Sequence, residues 1–145
     1  MYELFFEKIE EKIKLTSAQE DIIKQYLITK KIRKNQYLLQ EGDVAKYAAF
    51  VEKGALRAYS VGDRGTEHII QFAFEGWTIS DMYSFLTGEA ATYNIDALED
   101  SELVLISKAA QDEILKQIPA YEVYTRLQVT GAYMAMQKRL TSMLS

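Results

Sequence analysis

Apolar positions change their period twice along this chain. Between Tyr2 and Lys14, Leu4, Phe5, Ile9 and Ile13 recur at helical spacing among glutamates and lysines, which predicts an amphipathic helix. Ser17 and Glu20 then stand at capping-box spacing ahead of Ile22, Ile23, Tyr26 and Leu27, predicting a second helix from about Ala18 to Leu27. From Thr29 onward the runs ITKKIRK, QYLLQ, YAAFVEK, ALRAYSV, EHIIQFA, YNIDALE and ELVLIS are short, rich in β-formers and separated by Gly42, Gly54, Gly62, Gly65, Gly76 and Gly88. Short antiparallel strands joined by tight turns point to a sandwich or barrel, of which the jelly roll is one closure.

Beyond Ser107, a plausible N-cap, AAQDEILKQI predicts a short helix that ends before Pro119. From about Ala120 a long helix follows. Val129, Tyr133, Met136, Leu140 and Met143 fall along it in a seam of coiled-coil type, with Val123, Leu127, Met134 and Leu144 on an adjoining face. Packing within the chain would account for these positions. A helix of about 37 Å at 1.5 Å per residue, however, is longer than a small barrel covers, which favours a homodimer through this helix. The expected organisation is one mainly β domain with flanking helices. Helices occupy 1–28, a jelly roll 29–107, and the C-terminal helices 108–145.

Composition narrows the chemistry. The chain has 145 residues, 48% hydrophobic and 26% charged, with one proline, as expected for one ordered globular domain. It has no cysteine, which excludes disulfides, thiolate metal sites and cysteine nucleophiles. An acidic start (MYELFFEKIEEKIK) unlike a signal peptide, and no run long enough to span a bilayer, lead us to expect a cytoplasmic protein without a membrane partner. The net charge of -4 offers no broad basic surface for nucleic acid. The basic run with Lys30, Lys31, Arg33 and Lys34 reads as an exposed strand edge protected by charge.

Catalytic constellations are lacking. His68 is the only histidine, so neither a cupin-type metal cluster nor a supported Ser-His-Asp triad can be assembled, and the glycines are scattered at turns instead of forming a phosphate loop. An enzyme built on His68 is the least favoured reading. Binding remains, and no metal is expected.

The order of two opening helices, the LLQEGD turn at Leu38 to Asp43, the FVEKGALRAY hairpin at Phe50 to Tyr59, the stretch GWTISDMYSFLTGEAATYNIDALED at Gly76 to Asp100, a short helix and a long final helix resembles the cyclic-nucleotide-binding domain of catabolite-activator-type (Crp/Fnr) transcription regulators. The resemblance implies that this stretch is a phosphate-binding cassette, with backbone N–H groups facing an anion. Matched without a gap from Gly76, the family's Gly-Glu pair falls on Ser80 and Asp81, and its phosphate-binding arginine on Ala91, followed by Thr92. The implied ligand pocket comprises Ser80, Asp81, Met82, Tyr83, Ala91, Thr92 and Tyr93, with Tyr133, Met136 and Gln137 closing it from the long helix.

Asp81 stands where the family's Glu takes a ribose hydroxyl, with a shorter reach. Because Ala91 lacks the bidentate, charge-assisted pairing that arginine gives a phosphate, a cyclic nucleotide is disfavoured and no cofactor is expected; the effector is unknown and expected to be neutral or apolar. Alternatively Trp77, Tyr83, Phe85 and Tyr93 fill the pocket themselves. Family members continue into a helix-turn-helix that reads DNA, which this chain does not contain. The resemblance therefore implies the effector-sensing, non-catalytic part of a dimeric regulator. The alternative is a stand-alone small-molecule sensor or carrier acting through protein partners.

Overall fold

In the computed structural model, residues 1–144 are described, and Ser145, the last residue of the expected final helix, lies outside them. Among the described residues the elements run α1 (Glu3–Glu10), α2 (Ser17–Lys24), β1 (Ile28–Ile32), β2 (Tyr37–Leu39), β3 (Tyr47–Lys53), β4 (Leu56–Val61), β5 (Glu67–Ala73), β6 (Thr78–Ile79), α3 (Met82–Thr87), β7 (Asn94–Ala97), β8 (Ser101–Ser107), α4 (Lys108–Gln117) and α5 (Tyr121–Leu144).

Both opening helices are shorter than the periodicity predicts. The capping box of α2 is also shifted by one residue. Thr16 accepts from the Gln19 amide and the Gln19 side chain accepts from the Thr16 amide, so Ser17 is the first helical residue and not the cap. Two boxes of nearly equal sequence quality overlap here, and the one starting a residue earlier forms.

Two antiparallel four-stranded sheets, ordered β1-β8-β3-β6 and β2-β7-β4-β5, make the jelly roll. The core holds Ala49, Val51, Ile79, Leu103 and Leu105 from the first sheet, and Leu56, Ala58, Ala73, Ile95 and Ala97 from the second. β1 lies at a sheet edge with Lys30 and Lys31 exposed, the placement expected for a charge-protected edge. Gly54, at φ +101°, joins β3 to β4 so close to Ser101 that a Cβ would overlap its hydroxyl.

The helices cover the first sheet. Phe5 of α1 packs edge-on against both Phe6 and Phe50, and the buried Glu52 carboxylate accepts the amides of Leu4 (2.8 Å) and Phe5 (3.1 Å) at the start of α1. Ser107 caps α4 by accepting from the Ala110 amide. In α5, Tyr121 and Tyr124 stack at 5.4 Å and are buried in the core. From Val129 to Leu144 every residue is exposed.

Candidate functional site

The Gly76 to Tyr93 stretch forms β6, a tight bend, the six-residue α3 and a return into β7. The two-residue β6, which pairs Ile79 with Ala49 and Thr78 with Phe50, was not visible as a strand in the sequence because it is too short to show alternation. Gly88 ends α3 in the left-handed region at φ +79°, its amide donating to the Ser84 carbonyl.

Asp81 organises this segment. It is 2% exposed and caps α3 by accepting from the Ser84 amide through Oδ1 at 3.1 Å. Its Oδ2 accepts the Thr92 amide at 2.9 Å, the Tyr93 amide at 3.2 Å and the Thr92 hydroxyl at 3.5 Å. Both oxygens are thus engaged from within, and the ribose-hydroxyl contact implied for this position finds the carboxylate turned inward. Ser84, fully buried, adds a second tie: its hydroxyl donates to the Glu89 carbonyl at 2.6 Å and accepts from the Ala45 amide at 2.8 Å. Nothing in the sequence marked Ser84, whose only signal is its place three residues after an N-cap.

The expected pocket residues divide by placement. Asp81, Thr92 and Tyr93 are brought into direct contact. Ser80 donates to the Tyr47 carbonyl at 2.9 Å and borders an open cavity of about 510 Å³ whose rim includes Lys30, Tyr37 and Lys46. Met82 and Tyr83 are exposed on α3. Ala91 is buried, its amide donating to the Asp43 carbonyl (2.7 Å) and its carbonyl accepting from Gly42 (2.9 Å). Tyr133, Met136 and Gln137 lie exposed on the distal half of α5, and no hydrogen bond among the described residues joins them to the cassette.

The helix meets this region nearer its root. Gln128 donates to the Thr78 hydroxyl (3.2 Å) and to the Tyr124 hydroxyl (2.7 Å). The cassette aromatics do not converge either. Phe85 is buried, while Trp77 and Tyr83 are more than half exposed and Trp77 packs edge-on against Phe74.

A polar network on the second sheet escaped the sequence reading. Arg57 donates to Asp96 and Glu67 and lies over the Tyr59 ring at 4.0 Å, and the Tyr59 hydroxyl reaches Tyr37 (3.3 Å) and Asp96 (3.4 Å). Burial pushes the Tyr59 phenol above its ordinary range. Nothing in the sequence marked Arg57, whose only sign is a charge within a β-rich run. Its partners come from strands β5 and β7, distant in sequence. His68 is exposed on β5 opposite Ser60, and no group of three or more His, Asp or Glu capable of holding a metal occurs among the described residues.

Comparison with known proteins agrees with this geometry. The fold matches the catabolite activator protein of Thermus thermophilus (TM-score 0.72, 19% identity, 90% of this chain and 60% of that one). It also matches the sensor domain of the transcriptional regulator DNR from Pseudomonas aeruginosa (TM-score 0.68, 18% identity, 99% and 87%) and a cyclic nucleotide-binding domain from Methylobacillus flagellatus (TM-score 0.82, 15% identity, 97% and 83%). Among curated proteins, neuropathy target esterase sws of Drosophila grimshawi is 29% identical over 109 residues, which are 68% of this chain and 7% of that protein. This chain thus spans less than two thirds of the length of both the esterase and the activator. The family whose sequence pattern fits, over residues 29–118, is described as "Cyclic nucleotide-binding domain". With the jelly roll, the helical cassette and the long final helix in the same order, the chain belongs to the cyclic nucleotide-binding domain family.

Proposed function

We propose that this chain is the effector-sensing module of a Crp/Fnr-type transcription regulator, that it pairs with a second copy through α5 in the cytoplasm, and that its effector is not a cyclic nucleotide. The observation that carries this reading is the course of α5. The helix is anchored beside the cassette through Gln128 and Thr78, then continues for 16 residues, Val129 to Leu144, all of them exposed. Val129, Tyr133, Met136, Leu140 and Met143 leave its apolar seam uncovered, and an uncovered seam of this spacing is satisfied by another helix.

A cyclic phosphate fits the cassette poorly. Gly76 to Tyr93 contains no Lys or Arg, whereas it contains Asp81 and Glu89. The amides of Thr92 and Tyr93, which could face an anion, already serve Asp81. Sensing then works as a population shift: an effector that prefers one setting of the cassette biases the packing of the two α5 helices, and through them a DNA-binding module.

Sedimentation equilibrium at micromolar concentration, combined with calorimetric titration of cyclic AMP and cyclic GMP, tests the proposal. A dimer that takes up neither nucleotide supports it. A monomer, or sub-millimolar binding of either nucleotide, sinks it.

A further inference from the structure

We infer that Asp81 is an internal anion that sets the ligand specificity of the cassette: its carboxylate occupies the backbone donors an anionic effector would need, so the cassette selects for uncharged or cationic ligands. This rests on the sensing role proposed above and adds the chemical class of ligand and the residue that sets it.

The cassette is closed around a negative charge it carries itself. Three backbone amides from two segments, Ser84 on one side and Thr92 and Tyr93 on the other, converge on one carboxylate together with the Thr92 hydroxyl. At 2% exposure this carboxylate has no compensating cation within the cassette, which contains no Lys or Arg, and its charge is held by these donors alone. Backbone donors arranged on two sides of a buried carboxylate are what an anion-binding concavity looks like once filled. A second anion would bring like charge to donors already engaged. A neutral or cationic ligand meets no such opposition, and Asp81 together with the exposed Glu89 gives the region a negative bias.

The feature also makes the cassette a clasp. Asp81 ends the β6 segment and begins α3, while Thr92 and Tyr93 lead into β7, so its hydrogen bonds tie the two ends of the segment together. No substitution at Ala91 would open an anion site while this clasp stays closed.

The discriminating variant is Asp81→Ser. Serine remains a good N-cap for Ser84, so α3 keeps its start, but its hydroxyl is too short to reach Thr92 and Tyr93 as well. The probe is inorganic phosphate, titrated against ¹⁵N-labelled wild type and variant while the amide resonances of Thr92 and Tyr93 are followed. We expect the variant to bind phosphate at least about tenfold more tightly than wild type, with the largest shifts at these two amides, since each released donor is a site for a charge-assisted hydrogen bond. A folded Asp81→Ser protein that binds phosphate no better, or shifts only elsewhere, overturns the inference.

Hydrogen exchange of the wild type decides the matter even if the variant does not fold. Protection of the Thr92 and Tyr93 amides supports the clasp, and solvent-like exchange at both refutes it. These readouts do not depend on oligomeric state or on cyclic nucleotide titration, so failure of the sensing proposal and failure of the clasp are separable.

Discussion

Arg57 and Asp96 face each other across β4 and β7, with Nε donating to Oδ1 at 2.9 Å and Nη2 to Oδ2 at 3.3 Å. The third nitrogen, Nη1, donates to Glu67 at 3.0 Å, so one guanidinium ties β4 to both its neighbours. The Asp96 side chain is 12% exposed, so the pair is not a freely solvated surface contact. Asp96→Asn is expected to lower stability by about 1.5–3 kcal/mol, the range for a hydrogen bond to a charged group. Arg57→Lys should not spare this loss, because an ammonium cannot form the same fork or stack on Tyr59 in the same way. Urea unfolding, read as a lower midpoint at unchanged m, measures both.

Glu52 replaces a missing cap on α1, whose N-cap residue Tyr2 makes no side-chain hydrogen bond. Glu52→Ala leaves the Leu4 and Phe5 amides without their carboxylate and should cost about 2–4 kcal/mol, combining the lost charged hydrogen bonds with partial undocking of the helix. Raised tryptic sensitivity within residues 1–14, ahead of global unfolding, is the expected signature. Unchanged proteolysis would mean that Phe5 and Phe6 hold α1 without it.

The proposed association through α5 makes a sharp demand on the seam. Leu140→Glu places a charge among uncovered apolar positions far from the β-sandwich, so it should yield a folded monomer at micromolar concentration, with thermal unfolding made independent of protein concentration. Lys138→Glu, on the opposite face of the same helix from the Val129 to Met143 seam, is the control and should leave association intact.

Burial pushes the Tyr121 phenol well above its ordinary value of 10.0, and Tyr124 likewise, with Tyr121 and Glu11 adding to the rise. A raised phenol pKa means that the folded state holds its proton more tightly than the unfolded state does. The resulting stability is fully present below pH 10 and is lost as pH climbs toward the folded-state value. Stability should therefore fall above pH 10, and Tyr121→Phe should make that fall shallower. A variant whose alkaline limb matches wild type would contradict the assignment.

Ala91→Arg would force a long cation into a position that is 3% exposed and whose backbone is paired to residues 42 and 43. Overpacking should reduce stability by about 1–3 kcal/mol, and cyclic AMP affinity should not rise while Asp81 holds the Thr92 and Tyr93 amides. Calorimetry on this variant, alone and combined with Asp81→Ser, separates the effect of the missing arginine from that of the internal carboxylate.

What could be read from the sequence follows interaction range. Strands such as Tyr47–Lys53 and Ser101–Ser107 carry β-rich runs bounded by turn residues, and Ser107 as an N-cap is a local signal, so these appear where expected. Thr16 against Ser17 could not be separated, because each has a Gln or Glu three residues on and both satisfy the same spacing rule. The inward turn of Asp81 depends on residues 11 and 12 positions later, and the Arg57 network on residues up to 39 positions away, so neither leaves a periodic trace. Likewise Trp77 and Tyr83 have the composition of pocket lining, yet Trp77 lies in the turn before β6 and Tyr83 on the outer face of a six-residue helix, and both are exposed.

The contact between Gln128 and Thr78 makes α5 a lever with its fulcrum near one end. Sixteen residues beyond Gln128 extend about 24 Å at 1.5 Å per residue, so a 10° tilt at the fulcrum would displace the tip by roughly 4 Å. Thr78 lies three positions before Asp81, which places the clasp close to the fulcrum and the seam along the long arm. A small tilt at the cassette would thus reach the far end as a sideways shift of nearly half the roughly 8–10 Å that separates packed helix axes, enough to change which apolar residues two such helices bring face to face.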